Sequence, residues 1–192
     1  AFDKCLFNKL FEKLQARSVP DIVVRTLIYV YEEQTACVKL LDKKSDHFSV
    51  TNGTRQGSVL SPSLFAVYLG GLLEELRQLK VGCQIGGWWC GATCFADDLF
   101  LLAPSRTAAE MMLKTCEKYA LEHNLAFSTD PNPSKSKSKC LYFSGKARNV
   151  QLPDPLQLFG ADLPWVASAE HLGHTLHQDC TMDLDAKIKR AR

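Results

Sequence analysis

Two adjacent carboxylates between two apolar segments constrain the fold of this chain more than any other feature of its sequence. Asp97-Asp98 separates Thr93–Ala96 from Leu99–Leu102, and short apolar runs on both sides of a polar pair predict a β-hairpin. Aspartate is a poor strand residue, and two like charges side by side repel each other. Water at a surface turn offsets this repulsion, and so does a bound divalent cation such as Mg²⁺. The local pattern leaves both interpretations open.

The segments around this hairpin mix helices with antiparallel strands, which predicts an α+β fold. Apolar periodicity and capping signals predict helices over residues 4–16, from Pro20 onward, from an N-cap at Ser61 through Leu76, and from a Thr107–Glu110 capping box to near Asn124. Further predicted elements are a hairpin over residues 36–51 with a polar turn at 43–46, a strand at 140–143, a small hairpin at 156–163 and a basic helix at 186–192.

Composition and charge exclude several classes of protein. Of 192 residues 46% are hydrophobic, and 23 basic residues against 21 acidic ones leave a formal net charge of +2. This balance excludes a histone-like basic body and an acidic disordered chain, but not local contacts with nucleic acid. No apolar run approaches the roughly 20 residues of a membrane span, so we expect no membrane partner. Cysteines without a Cys-x-x-Cys pair indicate a reduced, intracellular protein of the nucleus or cytoplasm.

Residues 52–62 form a second informative segment, because they join a predicted strand to the start of a long helix. Gly53 and Gly57 permit close approach of the backbone to a ligand. The helix N-terminus offers free N–H groups and Arg55 adds a guanidinium, so this segment is suited to a nucleotide or a nucleic-acid backbone. A tight turn followed by a helix cap is the alternative interpretation.

A cluster of possible metal ligands lies near the C-terminus. His171, His174, His177 and Cys180 recur every three residues, and all of them are zinc-ligand types. Side chains alternate between the faces of a strand, so this spacing does not keep them together on one face. A zinc-binding module over residues 171–180 is therefore a less favoured alternative.

Together these segments resemble a reverse transcriptase, most closely that of non-LTR (LINE-like) retrotransposons. The resemblance covers nearly the whole chain, and motifs B and C in their family order are its most specific part. The matching segments are Ala1-Phe2-Asp3 for the tail of motif A, residues 55–65 for motif B, Phe95-Ala96-Asp97-Asp98 for motif C (usually written with Tyr first), residues 132–139 for motif D, and His171-Leu172-Gly173 for the Leu-Gly turn of motif E.

The resemblance implies a polymerase palm, an antiparallel sheet packed on helices in a ferredoxin/RRM-like arrangement, over residues 1–165. The primer-grip hairpin and the start of a helical thumb would follow over residues 166–192. The implied function is RNA-directed DNA synthesis, in which a primer 3′-hydroxyl attacks a deoxynucleoside triphosphate with the help of two Mg²⁺ (or Mn²⁺) ions. The implied partners are an RNA template, a DNA primer, dNTPs and the rest of the retrotransposon polyprotein, with fingers, thumb and, where present, an endonuclease.

The resemblance also implies roles for individual residues. Asp97 is expected to be the main catalytic metal ligand, with Asp98 supporting it. Lys137, or Lys135 in its place, is expected to assist the departure of pyrophosphate, and Phe2 to screen the sugar 2′ position. The other expected contacts are with the nucleotide for Arg55, Gln56, Gly57, Ser58, Phe95 and Ala96, and with the primer for His171, Leu172 and Gly173. Lys137 also lies in an alternating Lys-Ser run that fits a solvated surface equally well.

The catalytic aspartate of the family's motif A stands shortly before the Ala-Phe pair, which places it upstream of Ala1. Asp3 follows the aromatic residue and is not its equivalent. We therefore expect the chain on its own to be inactive, because this ligand and the fingers are missing. A catalytically inactive remnant of a retrotransposon that still binds nucleic acid is the alternative.

Overall fold

The computed structural model describes residues 2–55, 57–130, 132, 135–143 and 152–179. Its helices are a 3₁₀ helix at Phe2–Lys4 and α1 (Phe7–Ala16), α2 (Asp21–Glu32), α3 (Ser61–Gln78) and α4 (Arg106–Glu122). Its strands are β1 (Thr35–Ala36), β2 (Lys39–Leu40), β3 (Lys43–Lys44), β4 (Phe48–Ser49), β5 (Gln84–Ile85), β6 (Trp88–Trp89), β7 (Ala92–Phe95), β8 (Asp98–Leu101), β9 (Gln157–Leu158), β10 (Ala161–Asp162), β11 (Ser168–His171) and β12 (His174–His177). This mixture confirms the predicted α+β class. Among the described residues the strands pair only into six separate two-stranded antiparallel sheets, so they do not show the single palm sheet that the resemblance implies. No helix in the described part of the chain is long and apolar enough to span a membrane.

Helix α3 contributes buried side chains to two hydrophobic clusters. One face packs with α1 and α2, in a cluster of Cys5, Leu10, Phe11, Leu14, Val24, Tyr31, Leu64 and Tyr68. The other face packs with α4 and β7, in a cluster of Phe65, Leu69, Leu72, Leu76, Ala92, Met112, Cys116 and Tyr119. A smaller cluster joins α4 to β9 and β10 through Leu113, Leu156, Leu158 and Leu163. Because burial of apolar area drives this packing, the clusters fix the β7–β8 hairpin against the helices.

Two helix N-termini differ from their predictions. Helix α3 begins at Ser61 itself, whose hydroxyl donates to the backbone carbonyl of Arg55 and so stabilises the preceding loop instead of capping the helix. Helix α4 is capped by Ser105, whose Oγ accepts a hydrogen bond from the backbone N–H of Ala108 at 3.2 Å. The predicted Thr107–Glu110 capping box is therefore wrong. Glu110 instead pairs with the Arg106 guanidinium at 2.7 Å.

The hairpin predicted over residues 36–51 has a different register. β1 pairs with β4, and between them β2 pairs with β3 through a tight turn at residues 41–42. The polar turn predicted at residues 43–46 is wrong, because Lys43 and Lys44 are themselves paired strand residues. The Ser45 hydroxyl accepts a hydrogen bond from the N–H of Val38 at 2.9 Å, so this polar side chain stabilises the base of the inner hairpin.

The strand predicted at residues 140–143 is a single bridge in the described structure. Cys140 donates its N–H to the carbonyl of Pro164, and its own carbonyl accepts from the N–H of Val166. The bridge is parallel, so the missing N–H of Pro164 prevents its extension toward residue 138. It does not explain why residues 141–143 are unpaired. The hairpin predicted at residues 156–163 is confirmed as β9–β10. The basic helix predicted at residues 186–192 lies outside the described residues.

A buried polar network ties α1, α3 and α4 together. The Tyr68 hydroxyl accepts a hydrogen bond from the N–H of Leu6 at 3.2 Å and donates to the carbonyl of His123 at 2.6 Å. The Tyr119 hydroxyl donates to the carbonyl of Tyr68, and the His123 ring stacks on the Tyr119 ring with centroids 3.8 Å apart. Burial raises the pKa of Tyr68 to about 12 and lowers the pKa of His123 below its ordinary value. Both groups are therefore held in their neutral forms.

Candidate active site

The two carboxylates lie at the closed end of the β7–β8 hairpin, but not both on its turn. Phe95 pairs with Asp98, so the connecting turn consists of Ala96 and Asp97, and Asp98 is the first residue of β8. The prediction that Asp97 and Asp98 together separate the strands is therefore wrong by one residue. Ala96 has φ 51°, a left-handed conformation that such two-residue turns usually give to glycine or asparagine.

The two faces of this hairpin have different environments. Cys94, Leu99 and Leu101 pack against the cluster shared by α3 and α4. Phe95 and Asp98 are exposed on the opposite face, and Asp97 is exposed on the turn. Burial raises the pKa of the Cys94 thiol, and the negative charges of Asp97 and Asp98 raise it further. The two carboxylates therefore present a concentrated negative charge at one exposed end of a hairpin that is anchored by its other face.

A large open cavity of about 1260 Å³ brings together residues from three of the predicted motifs. Asp97 and Asp98 line it, as do Lys135 and Lys137 from the loop that resembles motif D, and His171 from the hairpin that resembles motif E. Both lysines are exposed, so the structure does not distinguish between them. The cavity thus places acidic and basic side chains around one space, an arrangement suited to a phosphate ligand together with a cation.

The β11–β12 hairpin reaches the carboxylate hairpin through an aromatic contact. His171 pairs with His174 across a turn formed by Leu172 and Gly173, which have φ 50° and 75°. The ring of His171 stacks on that of Phe100 in β8, with centroids 5.0 Å apart and planes inclined by 27°. The predicted Leu-Gly turn is confirmed as a turn, and its role in primer binding stays a prediction. Sequence reasoning missed Phe100, although it lies two residues after Asp98 and so shares its face.

The segment that resembles the tail of motif A is joined to the loop before α3. The Phe2 ring stacks on Phe65 with centroids 4.3 Å apart, and Phe65 lines the large cavity. The N–H of Thr54 donates to the carbonyl of Phe2 at 2.9 Å, and the N–H of Gly53 to that of Cys5 at 2.8 Å. Phe2 is therefore positioned behind the cavity wall by both a ring contact and backbone hydrogen bonds.

The other residues predicted to bind the nucleotide lie apart from this cavity. Arg55 is exposed and borders a second, smaller cavity, and its carbonyl accepts from the N–H of Ser58 at 3.1 Å. Gly57 has φ 81° and open space around its Cα. Gln56 lies outside the described residues. Of the segment that resembles motif B, the structure brings Phe65 to the large cavity, but not Arg55, Gly57 or Ser58.

The donor set at the hairpin fits a hard divalent cation. Asp97 and Asp98 offer adjacent, exposed carboxylate oxygens, and Mg²⁺ commonly takes one or two carboxylates from the protein while substrate phosphates and water complete its shell. Within the described residues no three His, Cys, Asp or Glu side chains form a metal-binding group. His171, His174 and His177, which are all described, therefore do not form such a group. Cys180, the fourth residue of the zinc alternative, lies outside the described part of the chain.

Comparison with known families identifies the family of this chain. The family model described as reverse transcriptase (RNA-dependent DNA polymerase) matches residues 1–176. The chain belongs to the reverse transcriptase family. Because the match covers the carboxylate hairpin, the lysine loop and nearly all of the β11–β12 hairpin, every wall of the large cavity lies inside the part of the chain that the reverse transcriptase model describes.

Two curated relatives place this reverse transcriptase domain among those of retrotransposons. The chain is 28% identical over 152 residues to a retrovirus-related Pol polyprotein from a type-1 R2 retrotransposable element of Nasonia vitripennis, which covers 79% of the chain. It is 30% identical over 113 residues, 59% of the chain, to the Pol polyprotein of the type-2 element R2DM of Drosophila melanogaster. These matches confirm the resemblance to non-LTR retrotransposon reverse transcriptases. The aligned parts make up 14% and 11% of those two polyproteins.

Proposed function

We propose that this chain is the palm of an RNA-directed DNA polymerase, with the large cavity as its catalytic centre. The observation that supports this most directly is that Asp97, Asp98 and Lys137 line one space in a member of the reverse transcriptase family. In the proposed reaction the primer 3′-oxygen attacks the α-phosphorus of a dNTP, the bond from that phosphorus to the bridging oxygen of the β-phosphate breaks, and pyrophosphate leaves.

The two carboxylates have related roles in this proposal. Asp97 would be the main ligand that the motif C segment supplies to two Mg²⁺ or Mn²⁺ ions, with Asp98 supporting it. When bound, the ions supply positive charge next to the attacking and leaving oxygens. Asp98 is held in place by its pairing with Phe95, and the buried face of the hairpin limits the movement of both carboxylates. Carboxylates that are already held close together lower the reorganisation needed when the cations bind.

Lys137, which lines the same cavity as the carboxylates, would act on the leaving group. Its ammonium group either gives a proton to the departing pyrophosphate or neutralises its charge. Lys135 is the alternative, because it lines the same cavity. Two lysines of one loop can share this role, so we propose Lys137 as the main contributor on the resemblance to motif D alone.

The remaining predicted residues would contact the nucleotide and the primer. Phe2, fixed by its stack on Phe65, would screen the sugar 2′ position. The nucleotide contacts would come from Arg55, Gln56, Gly57, Ser58, Phe95 and Ala96. The primer contacts would come from His171, Leu172 and Gly173. Since His171 stacks on Phe100 in β8, a primer bound at that hairpin would be coupled directly to the strand that begins with Asp98.

The proposed organisation follows these roles. Residues 1–165 would form the palm, and residues 166–192 the primer-grip hairpin and the start of the thumb. The partners would be an RNA template, a DNA primer and dNTPs. The curated relatives are Pol polyproteins of R2 elements, which supports a further partner: the remainder of a retrotransposon polyprotein, including fingers and thumb.

Primer extension on an RNA template tests this function, using a longer protein that contains this chain together with the family's fingers and motif A. We expect Asp97→Ala to reduce the rate of extension by more than about hundredfold, because a metal ligand contributes several kcal/mol to stabilisation of the transition state. Asp42→Ala is the matched control, since Asp42 is exposed on the turn between β2 and β3 and should not affect the rate. Extension that survives Asp97→Ala, or a longer protein that synthesises no DNA, would overturn the proposal.

A further inference from the structure

The β5–β6 hairpin carries two cysteines opposite each other at its base. Its register pairs Gln84 with Trp89, so the next residue outward on each strand is a cysteine, Cys83 on one side and Cys90 on the other. The N–H of Cys90 donates to the carbonyl of Cys83 at 2.9 Å, as this register requires. The two residues match no Cys-x-x-Cys motif, so it is the hairpin that brings them together.

The two thiols lie in one small group of atoms. Residues directly opposite each other on antiparallel strands project from the same face, and both cysteines are free thiols and half-buried. The Cys90 thiol donates to the carbonyl of Cys83, with Sγ 3.3 Å from the oxygen. Burial is the main cause that raises the pKa of the Cys83 thiol, and the charge of ionised Cys90 raises this pKa further. The two sulfurs therefore act on each other electrostatically.

The spacing of a facing pair is close to that of a disulfide. Facing residues have Cα atoms about 4.5–5.5 Å apart, within the roughly 4.4–6.8 Å found in disulfides. Their Cβ atoms, about 4.5–5.5 Å apart, must approach by about 1 Å. The N–H of Cys83 donates to the carbonyl of Leu102 at 2.9 Å and not to Cys90, so the pair lacks one of the two backbone bonds that would oppose this movement. A bond closed in this way is strained and easily reduced.

The face of the hairpin that carries the thiols is open to solvent. Ile85 and Trp88 lie two residues further along the strands, on the same face as the cysteines, and are 71% and 79% exposed. Trp89 projects from the other face, where its indole N–H donates to the carbonyl of Val81 at 2.6 Å and its ring packs against the cluster shared by α3 and α4. The hairpin is thus anchored on one face, and a small reagent reaches the thiols from the other.

We propose that Cys83 and Cys90 form a dithiol site that a low-molecular-weight disulfide, such as glutathione disulfide, oxidises reversibly. One protein thiolate attacks a sulfur of the reagent, which gives a mixed disulfide and releases one glutathione thiolate. The other protein thiolate then attacks the protein sulfur of the mixed disulfide, which forms the Cys83–Cys90 bond and releases the second glutathione. The protein loses two electrons and two protons, and the reagent gains them.

The site is separate from the proposed catalytic centre. The N–H of Leu102 donates to the carbonyl of Gly91 at 2.7 Å, so the base of the β5–β6 hairpin adjoins the open end of the β7–β8 hairpin. The carboxylates lie at the closed end of that hairpin. The dithiol site therefore neither requires nor tests the catalytic role of Asp97 and Asp98.

Disulfide mapping by mass spectrometry tests the site. The folded chain is treated with glutathione disulfide, its remaining thiols are blocked with iodoacetamide, and it is digested with chymotrypsin without reduction. Cleavage after Trp88 or Trp89 separates the two cysteines, so a bond between them appears as two linked peptides whose mass is two hydrogens below their sum. We expect this linked pair in the oxidised wild type, and its loss when dithiothreitol is added before the thiols are blocked.

Single substitutions separate the two steps of the exchange. Cys83→Ser and Cys90→Ser should each lose the linked pair and retain glutathione on the remaining cysteine, because the second step lacks its nucleophile. Cys37→Ser is the matched control, since Cys37 is also a half-buried free thiol, and it should leave the linked pair unchanged.

The wild-type digest decides the proposal even where a substitution unfolds the chain. Linkage of Cys83 or Cys90 to a different cysteine would overturn it, as would full alkylation of both thiols after the oxidation. Glutathione retained on the wild type without a Cys83–Cys90 bond would show that the pair cannot close. A bond that survives dithiothreitol in the folded chain would contradict its reversibility.

Discussion

At the residue scale, backbone conformation at a few positions determines how the parts of the site meet. Gly53 has φ 91°, and a Cβ added there would lie 2.9 Å from the Cα of Asp3. This close approach lets the loop before α3 donate hydrogen bonds to the carbonyls of Phe2 and Cys5. The position of Phe2 against Phe65 therefore depends on the absence of a side chain at residue 53.

Replacing Gly53 with alanine should lower the free energy of unfolding more than replacing a glycine that has a positive φ but open space around it. We expect Gly53→Ala to lower the free energy of unfolding by roughly 2–5 kcal/mol, the sum of about 1–2 kcal/mol for the left-handed conformation and about 1–3 kcal/mol for the backbone clash. Gly160→Ala is the control, because Gly160 has φ 72° and open space around it. This substitution should lower the free energy of unfolding only by the contribution of the left-handed conformation. Urea denaturation measures both variants. An equal decrease in the free energy of unfolding for both variants would show that the close approach to Asp3 does not affect stability.

Which residues could be predicted from sequence depends on how local their signal is. Asp97 and Asp98 were identifiable because a charged pair between apolar runs requires a local explanation. Phe100 had no such signal, since its stack on His171 depends on a segment far away in the chain. When the role of a residue depends on neighbours that are distant in the sequence, it can be recognised only from the structure.

At the element scale, the difference between local sequence signals and contacts with distant segments explains the errors in hairpin register. The sequence pattern predicts Ala96 in a strand and Asp98 on the turn, because an alanine next to apolar residues has no turn preference. The structure places Ala96 on the turn with positive φ and pairs Phe95 with Asp98. Alternation of apolar residues fits both registers of so short a hairpin, so packing on α3 and α4 decides between them.

The packing of α4 against α1 and α3 gives a prediction about pH. Burial is the main cause that lowers the pKa of His123, and the charges of Lys13 and Lys9 on α1 lower it further. The hydrogen bond to the carbonyl of Tyr119 and the charge of Glu122 act in the opposite direction. A group whose pKa is lower in the folded than in the unfolded state contributes stability above its unfolded pKa, and that contribution disappears as the pH falls through the folded value.

We therefore expect the free energy of unfolding to decrease as the pH falls from neutrality through the ordinary histidine pKa and below it. His123→Asn should flatten this dependence, because it removes the group that takes up a proton only on unfolding. His174→Asn is the control, since His174 is exposed on β12, and should leave the slope unchanged. Urea denaturation across this pH range provides the measurement. A slope that His123→Asn does not alter would contradict the assignment.

At the scale of the whole molecule, three segments that are distant in sequence form one cavity. Helix α3 has a buried cluster on each side, and so it links the segment that contains Phe2 to the hairpin that contains Asp97. The β11–β12 hairpin closes the other side through His171. The family resemblance predicted which segments belong together, but the separation of Arg55 from the large cavity was visible only in the structure.

The central claim is that the carboxylates at the end of the β7–β8 hairpin form a cation-binding catalytic centre. Nuclear magnetic resonance of this chain titrated with Mn²⁺ tests it most directly, because the paramagnetic ion broadens the amide signals of nearby residues. We predict selective broadening at residues 95–99 and in the lysine loop at 135–139, abolished by the double substitution Asp97→Asn and Asp98→Asn and retained in Asp42→Asn. Broadening spread evenly over exposed acidic residues, or unchanged by the double substitution, would contradict the claim.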